Sequence, residues 1–283
     1  MIYTLALGNP FYGIMASNLA LSLKHLGQPC NLITDEEMLV SLKERVSLFD
    51  KIVIMPKDEY TIDGRAYWGL AKLKMYKYLP NYHNLFIDAD SLVGFNVDVP
   101  KMLDSFKGVT FTASYATNSW GPLKAGPQWY PKNLVLPDTL NGSHDLPLAL
   151  SSAMMFYIRG LSQGFHECAV EAHEFLRMAQ GHRNWRWFGS IPDELCLAIA
   201  YSNYEMPNVG DQGYLKVCSH NKDITTMALM EQKVLTFSTG NFDLSIKPKG
   251  WYDGRVRFLC KEYGFPFLPY KDKSKLHARQ SKK

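Results

Sequence analysis

The chain has 283 residues, 46% of them apolar and 20% charged, with a net charge of +4. These proportions suit a soluble globular protein with a substantial core, built as one large domain or two small ones. No window reaches the ~18–20 uninterrupted apolar residues that span a bilayer. MIYTLALGNP has neither the basic start nor the long apolar region of a secretory signal. The five cysteines, Cys30, Cys168, Cys196, Cys218 and Cys260, are scattered, and no CxxC or Cys/His cluster has zinc-finger spacing. They are predicted to be reduced thiols of a cytoplasmic protein, in which the sequon at Asn141 carries no weight.

In chain order, IYTLAL predicts a strand, GNPFYG a turn cluster, and IMASNLALSLKHLG a helix ending at Gly27. CNLIT returns as a second strand bounded by Asp35, and KIVIMP is a short β-branched run stopped by Pro56. From Tyr67 to Leu79, the spacing of Trp68, Ala71, Met75 and Leu79 gives one apolar helical face, ended by Pro80. NLFIDADSLV reads as a buried strand running into two carboxylates. Residues 112–147 are rich in Pro, Gly, Asn and Trp without periodicity, a plausible substrate lid. LALSSAMMFYIRG is a further strand, followed by a helix over roughly 164–180, the stretch HRNWRWFG, and a helix opened by Pro192, Asp193 and Glu194. The alternation predicts an α/β fold, a mostly parallel, Rossmann-like central sheet flanked by helices, with ligands at the carboxyl ends of the strands.

Asp88 and Asp90 close the apolar run Leu85-Phe86-Ile87, and in an extended chain alternate residues share a face. Two carboxylates at a strand end form a hard-oxygen site for Mg²⁺ or Mn²⁺, whose shell phosphate oxygens complete. Such an ion neutralises the charge that develops on a diphosphate leaving group. As a bare tripeptide the pattern is common, and a turn with two solvated acids is the plainer reading. Asn9 and Tyr12 sit in the first strand–helix turn, the usual nucleotide position in this architecture. Arg65 and Lys72 precede the acidic run and are placed to neutralise a diphosphate, although a lysine on an amphipathic helix is more often solvated. Asp193 and Glu194 either complement a helix dipole or serve as the carboxylates that bind the donor sugar and activate an acceptor hydroxyl. Trp185, Arg186 and Trp187 either wall an acceptor or pack under a loop. His144, His166, His173 and His182 have no ligand spacing and read as core or surface residues.

The stretch AKLKMYKYLPNYHNLFIDADSLV resembles the region around the metal motif of family 8 glycosyltransferases, which include the glycogenins and bacterial lipooligosaccharide galactosyltransferases. LALGNPFYGIMASNLALSLKHLG is similar to that family's first strand, nucleotide loop and helix, with Tyr12 where a tyrosine packs on uracil. ALSSAMMFYI is similar to its Asn-Ser-Gly strand, with Ser152 on the serine. PDELCLAIA is similar to its Asp-Gln-x-x-x-Asn segment, with Asp193 on the Asp and Glu194 on the Gln. KVLTFSTG and KPKGW are similar to its closing elements, with Lys247 on the diphosphate-contacting lysine.

The resemblance covers roughly residues 2–251. It implies a distant member with a single GT-A type domain over 1–262 and a basic tail over 263–283. The implied activity is transfer of a sugar from a UDP-sugar donor, with Mn²⁺ or Mg²⁺, to a hydroxyl on a glycan, a lipid-linked sugar or a modified DNA base. The departures are specific. Thr236 stands where the family has a metal-binding His, so either the metal has fewer protein ligands or another group, such as His220 or Asp243, substitutes. Ser151 and Ala153 replace the Asn and Gly of the Asn-Ser-Gly element, and Glu194 replaces a Gln, leaving retention or inversion open.

The last thirteen residues hold six Lys or Arg and one acid, while the remaining body is close to neutral. Such a tail is a disordered end, a membrane-surface contact or a nucleic-acid contact. The last would suit a phage-type DNA glycosyltransferase acting on hydroxymethylated pyrimidines. A non-catalytic nucleotide-sugar-binding module is a second class. A nucleotidyltransferase is disfavoured, because GNPFYG carries no basic residue.

Overall fold

The computed structural model describes residues 1–115, 136–140, 150–180, 191–204, 210, 212–217, 227–237 and 247–268. The lid stretch beyond residue 115 (apart from 136–140), Trp185, Arg186, Trp187, His144, His182, His220, Asp243 and the tail beyond 268 lie outside the described residues.

The chain opens with β1 (Ile2–Ala6), α1 (Pro10–His25), β2 (Asn31–Thr34), α2 (Glu36–Leu42) and β3 (Lys51–Ile54). Asn9 caps α1 by accepting the Phe11 N–H at 3.0 Å, and Pro10 fills the first helical position, where no N–H is needed. The helix therefore begins inside GNPFYG, which the sequence suggested was wholly a turn. A short hairpin, β4 (Thr61–Ile62) and β5 (Arg65–Ala66), leads into α3 (Trp68–Lys74). The predicted helix over 67–79 stops at Lys74 and tightens into a 3₁₀ turn, Met75–Tyr78. Pro80 explains the ending, because it holds Leu79 extended (φ −100, ψ 150).

Next come β6 (His83–Ile87), β7 (Ser91–Val93), α4 (Val99–Asp104), β8 (Phe111–Tyr115), β9 (Leu150–Ile158) and α5 (Arg159–Gln180). The single acidic strand expected over 84–93 is thus two strands with a turn at Asp88–Asp90. The α5 helix starts earlier than expected, where Asn81 Oδ1 accepts the Gly160 N–H at 2.7 Å. Then follow α6 (Asp193–Asn203), β10 (Leu215–Val217), α7 (Met227–Met230), β11 (Val234–Thr236) and α8 (Lys247–Tyr263).

The main sheet has the order β3-β2-β1-β6-β9-β8. Strands β3, β2, β1 and β6 run parallel, and β9 pairs antiparallel with both β6 and β8. Alternation along the strands feeds two cores. Leu85, Ile87, Met154 and Phe156 face α1, while Phe86, Met155 and Tyr157 face α3, α5 and α6. The chain winds from β1 outward to β3, then returns to place β6 on the other side of β1. The strand order therefore reverses between β1 and β6, and the carboxyl ends of those two strands open a crevice there.

A second sheet, β10-β11-β7, adjoins this edge. Glu231, buried beside it, ties three segments together. Its Oε2 accepts the Phe95 N–H at 3.0 Å, and its Oε1 accepts Trp251 Nε1–H at 3.1 Å and a guanidinium N–H of Arg255.

Candidate active site

The turn Asp88-Ala89-Asp90 follows directly on β6, at the point where the strand order reverses. The Asp88 N–H donates to Ala153 O on β9 at 2.8 Å, and Ser91 N–H closes the turn on Asp88 O at 3.0 Å. Asp90 sits against the second sheet. β11 pairs antiparallel with β7 so that Thr236 opposes Ser91, and Phe237 N–H donates to Asp90 O at 2.9 Å. In that register the Thr236 hydroxyl donates to Asp90 Oδ1 at 3.1 Å. The two carboxylates are thus presented by a turn and held by different sheets, where the sequence suggested an extended strand with both on one face.

Lys72 enters from α3 over the ring of Phe86, 5.4 Å from its centroid. Its Nζ lies 2.8 and 3.0 Å from the two carboxylate oxygens of Asp88, 3.0 Å from Ser152 Oγ, and 3.4 Å from Asp193 Oδ2. Ser152, on β9, donates in turn to Glu194 Oε1 at 3.3 Å. Asp193 and Glu194 begin α6, and Gly69 lets α3 approach that point. A Cβ at Gly69 would stand 2.8 Å from Ile191 O and 3.4 Å from Asp193 N. Five residues from four separate segments (Lys72, Asp88, Ser152, Asp193 and Glu194) therefore converge.

Burial acts to lower the Lys72 ammonium, but the carboxylates of Asp193, Asp88 and Glu194 reverse this and hold its pKa above the ordinary value. Burial also lifts Asp88 against the pull of Lys72. For Asp193 the balance is opposite: burial is outweighed by Lys72 and neighbouring hydrogen bonds, and the carboxyl stays below its usual range. Burial and then the charge of Asp193 push Glu194 up to about 8. The adjacent pair is therefore split, with Asp193 ionised and Glu194 neutral at pH 7. Asp193 Oδ2 is buried and has no hydrogen-bond partner among the described residues, although Lys72 is ion-paired to it. An oxygen in that state can accept a ligand hydroxyl.

The other sequence-predicted positions fall around this centre. Asn9, whose side chain caps α1, and the half-buried Tyr12 lie at the carboxyl end of β1. Arg65 lies on β5, its guanidinium 5.5 Å from the Tyr67 ring centroid, just before α3. Lys247 is the first residue of α8, and its side chain is outside the described residues. Ala71, Met75 and Leu79 are buried as their spacing predicts, but Trp68, counted with them, is 45% exposed and lies against Gly8. Apolar spacing does not single out Gly69, though a glycine in the first turn of a helix is the kind of signal that marks a close approach.

No model of a known protein family matches the sequence, and no curated protein matches it. Among solved structures, the chain is similar to an active-site glutamine-to-glutamate mutant of LgtC. That match has a TM-score of 0.56 at 9% identity and covers 95% of this chain and 97% of that one. The fold is of the GT-A type. A match to mouse xyloside xylosyltransferase 1 in its apo form has a TM-score of 0.48 at 9% identity, covering 85% of this chain and 98% of that one. Among the described residues, no group of three or more His, Cys, Asp and Glu is placed to hold a metal ion. No helix among them is long and apolar enough to cross a membrane.

Proposed function

We propose that this chain is a glycosyltransferase that moves a sugar from a UDP-sugar to an acceptor hydroxyl, with a divalent cation held through Asp88 and Asp90. The observation that carries the reading is the convergence of Lys72 on Asp88, Ser152 and Asp193 at the carboxyl edge of the parallel strands. A GT-A fold with a buried ammonium and split carboxylates at that edge is equipped for a diphosphate and a sugar side by side.

Two carboxylates beside a threonine hydroxyl make an all-oxygen donor set. That set fits Mg²⁺ or Mn²⁺, which take one or two carboxylates and leave the remaining positions to phosphate oxygens and water. When bound, the ion supplies charge neutralisation for the departing diphosphate. The chain's own residues do the rest. Lys72 exchanges its carboxylate partners for phosphate oxygens and holds the diphosphate. Asp193, released from that ion pair, accepts hydrogen bonds from sugar hydroxyls through Oδ2. Glu194, neutral at pH 7, donates one. The acceptor hydroxyl oxygen bonds to the anomeric carbon as the bond from that carbon to the diphosphate oxygen breaks, and the hydroxyl proton passes to the departing UDP. Asn9, Tyr12, Arg65, Ser152 and Lys247 complete the nucleotide-sugar contacts in this reading.

The test is donor hydrolysis and UDP binding with Mn²⁺, in wild type and in Asp90→Ala. Both should be lost in the variant; full turnover by Asp90→Ala would remove the assignment. Acceptor trials on glycans, lipid-linked sugars and hydroxymethylpyrimidine DNA then separate the acceptor classes.

A further inference from the structure

Trp68 opens α3, four residues before Lys72, so the two side chains share a face of the helix about one turn, roughly 5.4 Å, apart. Its indole packs onto the first residues after β1. Gly8 has φ +69, and a Cβ there would lie 2.3 Å from Cη2 of Trp68, so only glycine permits the contact. On another side lies Tyr60, with ring centroids 5.5 Å apart and planes 36° apart. Tyr60 is fixed in turn, because Asp35 Oδ2 accepts both its hydroxyl, at 3.1 Å, and the Gly8 N–H, at 2.7 Å. The indole is thus pinned from two sides, yet Trp68 remains 45% exposed.

A large aromatic ring that is held rigidly loses little entropy on meeting a ligand, and its open face offers stacking area. Its contact with Gly8 sets this one beside the carboxyl end of β1, and its backbone lies one helical turn from that of Lys72, whose ammonium is assigned to the diphosphate. We infer that Trp68 is a stacking platform for the base of the nucleoside diphosphate. The inference rests on the UDP-sugar reading and adds to it a binding residue that sets nucleoside affinity independently of the phosphates.

The experiment compares UDP with inorganic pyrophosphate, which lacks a base, by calorimetric titration in the presence of Mn²⁺. The proteins are wild type, Trp68→Ala and Trp68→Phe. Trp68→Ala should bind UDP roughly tenfold more weakly, in keeping with the loss of one base–aromatic stack. Its affinity for pyrophosphate should stay unchanged, and Trp68→Phe should recover most of the UDP affinity. Equal loss for both ligands would mean that the indole only supports the Gly8 turn, and unchanged UDP binding in Trp68→Ala would mean that the base lies elsewhere; either overturns the inference while leaving the donor reading intact. A wild-type protein that fails to bind UDP at all removes the donor reading, and this inference with it.

Discussion

The Thr236 hydroxyl donates a 3.1 Å hydrogen bond to Oδ1 of Asp90 across the join between the two sheets. Groups that orient a metal-binding carboxylate typically matter by 10–100-fold in affinity. Thr236→Val keeps the β-branched shape and removes only the donor. It should weaken Mn²⁺ binding to the UDP complex by roughly tenfold, read by titration against the Mn²⁺ resonance signal. Unchanged affinity would show that Asp90 needs no such support.

Glu194 offers a pH signature. Its folded pKa is raised to about 8 from an ordinary value of 4.5, so between those values the folded chain holds a proton that the unfolded chain releases. Stability from this group is greatest below pH 4.5 and falls as pH rises toward 8. Glu194→Gln, which keeps a neutral polar group, should melt with wild type at pH 5 and increasingly above it toward pH 8.5. Melting curves that stay parallel across that range would mean the carboxyl is ionised in the native site.

The approach of α3 to α6 fixes where the carboxylates of the candidate site stand. Gly69→Ala places a methyl 2.8 Å from Ile191 O, which backbone movement alone can relieve. Helix propensity favours alanine by about 1 kcal/mol, while overpacking costs roughly 1–3 kcal/mol. The net loss of stability should therefore be small. Donor hydrolysis should fall by tenfold or more, because Asp193 and Glu194 move with Ile191. Wild-type rates in Gly69→Ala would mean that the helices are not fixed by this contact.

Two buried histidines on α5 should weaken the fold as pH falls. His166 lies in an aromatic nest, stacked on Tyr76 with centroids 4.8 Å apart and planes 8° apart, and His173 meets Tyr67 edge-on. Neither ring has a hydrogen-bond partner at either nitrogen among the described residues, and burial pushes them down to about 3 and about 4. The unfolded chain binds these protons near pH 6.5. Their neutral burial thus favours the folded state above that pH, and the advantage shrinks as pH falls toward 4, by about 1.4 kcal/mol per unit for each ring. His166→Phe should raise stability by roughly 1–3 kcal/mol and flatten the acid slope by about one proton. A variant less stable than wild type at pH 5 would contradict this.

The parts of the site that were legible in the sequence are those encoded locally. An apolar run ending in Asp88 and Asp90, a helix carrying Lys72 ahead of it, and acids at the start of α6 all follow from spacing and termini. Their meeting is not local. Lys72 reaches Ser152 and Asp193 only because β9 inserts antiparallel beside β6 and because Gly69 admits α6, and neither fact is carried by any one segment. Trp68 was misjudged for a related reason. Helical spacing gives its face but not its neighbour, and the neighbour is a glycine sixty residues earlier, whose missing side chain makes the contact possible. For His166 and His173 the sequence left core or surface open, and their burial with unpartnered nitrogens comes from packing between distant segments.

The turn from Asp88 to Asp90 joins two sheets directly: β6 ends one residue before it and β7 starts one residue after it. Surface turns usually absorb insertions and deletions. This one cannot, because adding or removing one residue would shift β7 by one position against β11 and exchange the two faces of the strand, both of which are packed. Ser91, Leu92 and Val93 are all fully buried, so each would be forced against the wrong neighbours, and Thr236 would lose its place opposite Ser91. Among descendants of this chain, the length of the acidic turn should therefore stay locked at three.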